Sequence, residues 1–442
     1  MACPDLPAPR GVEEGGPPGP SSPSGPPGLW RDPDFRRLWI GQTFSQLGEH
    51  TALVVLPLVA VLTLHADAGQ VGVLRAVGQA PVLLLALLVG AWVDRWRART
   101  VMVLADAGRA LVLAAAACAV FPGGAGLPVL WGVALGVGAL SVFFDIAYQT
   151  SLVRLVRRDQ LVAGNSALEG SRSAAQIGGP ALGGALLSLL SAPVAVASGA
   201  VFFALSFLSL RRIRRSETVP EPVGPPDRSR RPPHTVRRVR QGLRFVVGDT
   251  ALRTVCLASA AFQLSFAAAM TACLVFLPQE LRLSGATVGV VLAAGGPGAL
   301  LGSALAARLP RRFGYGRVLV GAAVLGDGAY LCVPALHGSS AATVTGLVVV
   351  HLVFGAGGQL VNVTVMAVRQ ALTPDALQGR VAATITFVGM GAAPLGSLLG
   401  GLLAQEWGAR TGLAVAAAAM LLSPALMALS PLARLGRTLP TP

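Results

Sequence analysis

The sequence predicts an all-α integral membrane protein whose twelve transmembrane helices form two pseudo-symmetric six-helix bundles. Three observations carry this. Hydrophobic residues make up 53% of the chain and charged residues 12%, with a mean hydropathy of +0.65, whereas soluble domains carry about 25% charge. Apolar runs near the length of about 20 residues that a helix needs to cross a hydrocarbon core recur along the chain between short loops. The second half also repeats the first. Gly136 matches Gly355, Asp159 matches Asp375 and Pro180 matches Pro394 at offsets of 219, 216 and 214, and the VGV at Val71 returns at Val288, an offset of 217, in a chain of 442 residues.

Residues 1–30 are rich in Pro, Gly and Ser and lack the apolar centre of a signal peptide, so they read as a disordered cytoplasmic tail. The N-terminal bundle takes residues 31–210, with runs near 35–64, 71–93, 100–121, 128–150, 162–190 and 193–210. The central segment 211–250 is rich in Arg and Pro. Its end, TVRRVRQGLRFVVGD, reads either as an amphipathic helix on the inner leaflet or as a solvated tether. The C-terminal bundle takes 251–432, with runs near 251–278, 287–307, 317–336, 341–368, 381–404 and 412–432, and 433–442 form a second cytoplasmic tail.

Charge sets the orientation. All 35 basic residues are arginines, and they cluster in alternate loops: Arg95, Arg97 and Arg99 after the second run, Arg154, Arg157 and Arg158 after the fourth, Arg308, Arg311, Arg312 and Arg317 after the eighth. The other loops hold Arg282 and Arg410. The positive-inside rule then places both termini and the central segment in the cytoplasm, with the chain in the plasma membrane. A net charge of +15 suggests nucleic acid only until its position in membrane-flanking loops is seen. Cys3, Cys118, Cys256, Cys273 and Cys332 show no paired spacing, so neither disulfides nor a metal is expected. With no metal-ligand spacing, phosphate-binding glycine loop or nucleophile with its base, the chain does not read as an enzyme and needs no cofactor. A proton gradient is the expected energy source.

A charge inside the bilayer is costly unless paired or neutralised, which singles out five acids. Asp106 has Arg109, and Glu169 has Arg172, three residues on, so each is expected to pair along one helix face and to serve structure. Glu49 lies about 18 Å beyond Arg37 at about 1.5 Å per residue, with no basic residue one turn away. It is the first choice for a proton carrier. Asp327, unpaired on its own helix, is the second, and Asp145, within reach of Arg109 or Arg172 on other helices, the third. Each of these carboxyls also has a plainer reading, as a group facing a wet cavity. His50 would complete a relay with Glu49. Arg75 either attracts an anionic substrate or, the preferred reading, snorkels to the headgroups. Phe44, Gln46, Phe143, Gln149, Phe262, Gln263, Phe266 and Asn362, with Phe144 and Phe387, are the candidates for the substrate cavity, each with the alternative of facing lipid. Aromatics at 5% overall suit a small apolar or amphipathic ligand better than a sugar. A monomer is expected.

A parallel half-repeat and a long central loop form the pattern of a two-bundle secondary transporter. Five stretches then carry a narrower likeness: GQTFSQLGEH, GAWVDRWRART, FFDIAYQTSLVRLVRRDQLVAGNSAL, GPALGG, and LTPDALQGRVAA with PLGSLLGG. In that order and at those helix positions they resemble the major facilitator superfamily, in particular its twelve-helix proton-driven exporters, similar to enterobactin exporters and macrolide efflux proteins. The resemblance covers about 30–432. It implies alternating access and proton-driven export of a drug, antibiotic, secondary metabolite or siderophore.

The resemblance also implies residue roles. Gly90, Asp94, Arg95 and Arg99 match a conformational lock, with Arg380 at the start of the eleventh helix as its partner, closed in the outward-open state and broken on inward opening. Arg97 and Ala98 depart from the usual pattern, and Ala306 leaves the second copy without its acid. Gly179, Pro180, Gly183 and Gly184 match an antiporter motif that Pro394, Gly396 and Gly400 repeat in the eleventh helix. Small faces there allow close crossing, and proline bends the helix. Taken singly, these are topology-setting arginines and packing glycines. Other readings on the same fold are a lipid or lysolipid translocator, an uncoupled uptake facilitator, and a non-transporting receptor or scaffold.

Overall fold

A computed structural model gives the structure of residues 29–93, 96–120, 126–157, 160–214, 235–374 and 377–438. The expected N-terminal tail up to residue 28, residues 215–234 of the central segment and residues 439–442 lie outside them, as do Asp94, Arg95, Arg158, Asp159 and Asp375.

The helices of the first half are α1 (Pro33–Leu62), α2 (Ala68–Val93), α3 (Ala98–Val120), α4 (Leu127–Leu155), α5 (Leu161–Leu189) and α6 (Ala192–Arg211). After α7 (Thr235–Gly248) come α8 (Thr250–Gln279), α9 (Gly285–Ala293), α10 (Gly295–Ala306), α11 (Leu309–Phe313), α12 (Tyr315–Tyr330), α13 (Ala341–Leu372), α14 (Gln378–Trp407), α15 (Ala409–Met420) and α16 (Leu422–Ala428). Two spans are broken by proline. Pro297 has no N–H for the carbonyl of Ala293, where α9 ends, and Pro424 none for that of Met420, where α15 ends.

Eleven spans among the described residues are long and apolar enough to cross a membrane, counting α9 with α10 and α15 with α16 as one each. The twelfth expected span, α5, falls below that hydropathy because Asn165, Ser166, Glu169, Ser171, Arg172, Ser173 and Gln176 interrupt it. Its 29 residues still make a membrane-length helix, and it packs between α1 and α9.

In the first bundle α1 packs on α5 and α6, α3 on α4 and α6, and α2 on α4; in the second, α8 packs on α14 and α15, α10 on α13, and α12 on α13. Both chain ends meet one face of the molecule, here the terminal face. Asp32 caps α1 by accepting from Asp34 N at 2.9 Å, and the Asp34 carboxylate accepts from Arg214 N, just past α6, at 3.1 Å. The C-terminal segment returns to the start of α12, where Tyr315 N donates to Gly436 O at 2.9 Å. The opposite, distal face carries the α1–α2, α8–α9 and α14–α15 turns.

Candidate functional site

The first bundle is built around one buried cation. Arg109 of α3 is fully buried and pairs with Asp106, one turn earlier and equally buried. Its Nη2 donates to Ser45 Oγ of α1 at 2.9 Å and its Nη1 to Ser141 Oγ of α4 at 3.2 Å. The guanidinium is sandwiched between Phe144 of α4 and Phe203 of α6, at 4.5 and 4.4 Å from the ring centroids, a cation–π arrangement strengthened by desolvation. Asp106 in turn accepts from Ser206 Oγ of α6 at 2.5 Å and from Ser45 Oγ at 3.3 Å. A buried charge persists only with such partners. The expected i,i+3 pair is therefore the polar centre that ties four helices together.

Glu49 sits at the edge of this centre. Its Oε2 lies 3.7 Å from Arg109 Nη1 and has no hydrogen-bond partner. The absence of a basic neighbour on α1 is thus made good from α3. Half-buried, Glu49 also lines a cavity of about 100 Å3 with Arg75, Gln79 and Ser141. Asp145 lies within electrostatic range of Glu49, Arg109 and Arg172 but forms no ion pair among the described residues. Glu169 and Arg172 pair at 3.2 Å, both exposed. Arg75 does not snorkel. Its Nε is buried without a hydrogen-bond partner, and the side chain lines the cavity beside Glu49.

The second bundle holds a chamber of about 400 Å3 walled by α8, α12, α13, α14 and α16. Phe262, Gln263, Asn362 and Asp327 line it, with Gln359 and Arg369. Asp327 is 4% exposed and has no hydrogen-bond or ion-pair partner among the described residues. Phe262 is held in a stack with Phe266 and Phe354, centroids 5.4 to 6.4 Å apart. Of the other expected cavity residues, Phe266 acts through that stack, Gln46 is buried at 6% exposure, Phe143 packs against the apolar core of the first bundle, and Gln149 is exposed. Phe44 is half-buried, and Phe387 is exposed at 39%. Sequence gave no pointer to Gln359 or Arg369, whose roles depend on how α13 is rotated. Among the described residues no group of three His, Cys, Asp or Glu side chains is placed to hold a metal ion.

The two glycine motifs join the bundles near the distal face. Gly183 of α5 faces Thr51 of α1 in its own bundle, while Gly184 lies on Gly285 and Gly289 of α9 in the other. Gly400 of α14 faces Ala268 of α8, while the adjacent Gly401 lies on Ala68 and Gly72 of α2. Thus each motif turns one glycine inward and the next across the interface. Gly179 abuts His50, Pro180 offers its carbonyl against Gly289, Gly396 faces Leu264, and Pro394 is buried in α14.

Toward the terminal face Arg380 Nη1 donates to Gln241 Oε1 of α7 at 2.8 Å. The expected lock partner Asp94, with Arg95, lies outside the described residues. Gly90 belongs to α2, and Arg99 donates to the carbonyls of Leu210 and Arg211, fastening α3 to the end of α6.

Two six-helix bundles joined backbone to backbone near the distal face, each with a cavity of its own, give the architecture of a membrane transporter. The chain belongs to the transmembrane secretion effector family of the major facilitator superfamily, whose family model matches residues 25–438. It is similar to the multidrug efflux pump Tap of Mycobacterium tuberculosis, 28% identical over 407 residues covering 86% of this chain and 88% of that one. Among solved structures, a variant of the nucleoside transporter NupG aligns with a TM-score of 0.72 at 13% identity, covering 89% of this chain and 99% of that one. A bacterial homologue of the iron transporter ferroportin aligns at 0.71 in its inward-facing state, at 19% identity and covering 89% and 97%, but at 0.57 in its outward-facing state, at 19% and covering 89% and 98%.

Proposed function

We propose that the chain exports small amphipathic molecules from the cytoplasm by proton antiport with alternating access, as a monomer in the plasma membrane with the terminal face cytoplasmic. The observation that carries the reading is the position of Glu49. It is the one carboxyl of the five that touches both the buried Arg109 centre and a cavity, so it can gain a proton from solvent and lose it to restore the charge pair. Protonation removes the attraction to Arg109, and deprotonation regains it, which gives one side chain two states of different contact. Arg109 keeps Asp106 and its serines in both. The arginine-rich loops on the terminal face support its cytoplasmic assignment. The chamber in the second bundle, where polar side chains share the wall with apolar ones and an aromatic stack, supports an amphipathic cargo.

The test is substrate-dependent proton movement in proteoliposomes, comparing the native chain with Glu49→Gln across lipophilic dyes, macrolides and siderophores. Coupling in the native protein and uncoupled or absent transport in Glu49→Gln is the expected result. Normal coupling in the variant would move the role to Asp145 or Asp327. Transport in the native protein without proton movement would replace antiport by facilitation, and no transport of any dye, macrolide, siderophore or lipid would leave a scaffold.

A further inference from the structure

We propose that Asp327 is the counter-ion for an organic cation, so that the chamber of the second bundle selects positively charged amphiphiles. The inference rests on the export reading and names its cargo. Asp327 stands twelve residues into α12, about 18 Å from the terminal face at about 1.5 Å per residue. A carboxylate held so deep without a partner is costly, and no cation among the described residues pairs with it. Arg369, the one basic residue on the chamber wall, lies three residues from the end of α13, near the mouth, and forms no ion pair with Asp327. The charge requirement is therefore left for a ligand to fulfil. The remaining wall suits the same guest. Phe262 presents a ring fixed by Phe266 and Phe354, an aromatic face that attracts cations, and the amides of Gln263 and Asn362 offer acceptors beside it. At about 400 Å3 the space matches a drug-sized molecule, whose sites run from about 300 Å3 upward. Arg369 at the rim orients the guest, since it repels a cation and leaves the charged end to seek Asp327.

A division of labour follows between the bundles: Glu49 handles the proton and Asp327 the charge of the cargo. The experiment is equilibrium binding to the full chain in lipid nanodiscs, using the cationic dye ethidium and the uncharged lipophilic dye Nile red. Asp327→Asn is expected to weaken ethidium at least about tenfold while changing Nile red less than about twofold, and Asp327→Glu to retain ethidium. A structural role for Asp327 would weaken both dyes alike, and that result, unchanged ethidium affinity in Asp327→Asn, or no ethidium binding by the native chain, overturns the proposal. Failure of the export reading is separate. It appears as absent proton-coupled transport by the native chain, whatever the dye ratio shows.

Discussion

Gly184 and Gly289 meet backbone to backbone across the bundle interface: a Cβ on Gly184 would come 2.8 Å from the Gly289 Cα, and one on Gly289 3.0 Å from the Gly184 Cα. Gly401 and Gly72 repeat the arrangement at 2.8 and 2.9 Å on the other side of the pseudo-symmetry axis. No side chain fits either crossing, so Gly184→Val or Gly401→Val must push the bundles apart near the distal face. Overpacking costs about 1–3 kcal/mol, a shift of about 5- to 150-fold in the ratio of distally closed to distally open molecules. Pulsed electron spin distances between labels in the 63–67 and 280–284 turns are expected to lengthen in either variant. An unchanged distance distribution would mean that the two crossings do not govern closure.

Replacing Arg109 tests the buried centre. Arg109→Met strands Asp106, which is fully buried, and breaking such a pair costs about 3–5 kcal/mol. The double variant Asp106→Leu with Arg109→Met removes both charges of the fully buried pair and leaves only the half-buried Glu49, which faces a cavity, so it is expected to recover much of that loss, visible in thermal unfolding in detergent. Were the double variant less stable than Arg109→Met alone, the serines and rings around the pair, rather than the charges, would be what holds the four helices.

On α10, Gly298 and Gly302 sit four residues apart and press on the carbonyls of Leu352 and Ala356 of α13, while Gly355 returns the contact to Gly295. Small residues at that spacing let membrane helices approach closely. Gly302→Leu is expected to lower the unfolding temperature and disturb the chamber wall that α13 supplies, reducing dye binding together with stability. Unaltered stability would show that α10 can slide away from α13 freely.

The helices were legible because a membrane span is written in a contiguous stretch of sequence. The expected 341–368 and the observed Ala341–Leu372 differ only by the last turn, and the half-repeat anticipated that Pro180 and Pro394 would occupy matching places. Asp106 with Arg109 was legible for the same reason, since residues three apart share a helix face. What depends on the rotation of one helix against another was not. Arg109 reaches Glu49 of α1 from α3, and Arg75 of α2 turns inward instead of toward the headgroups, yet α1 and α2 carry no periodic mark of their azimuth, because lipid and core sides are both apolar. Ser45, Ser141 and Ser206 are the signal that was available: hydroxyls inside membrane-length helices, all buried on Asp106 or Arg109.

The docking of α7 on α14 gives the last prediction. Gly242 allows the approach, since a Cβ there would lie 2.7 Å from Thr384 Oγ1 and 2.9 Å from Arg380 O, and Gln241 then accepts from the Arg380 guanidinium. If Arg380 serves Asp94 when the terminal face closes, it exchanges one partner for another during the cycle, and the two partners act in opposite states. Gln241→Ala removes only the contact seen here and is expected to favour terminal closure by about 1 kcal/mol, roughly fivefold in population. Arg380→Ala removes a contact from each state and should move the balance less, while slowing transport more. Spin-label distances across the terminal face, measured for both variants beside transport rates, separate the cases. Equal shifts in the same direction would leave Arg380 without a partner in the closed state and reduce its role to anchoring α7.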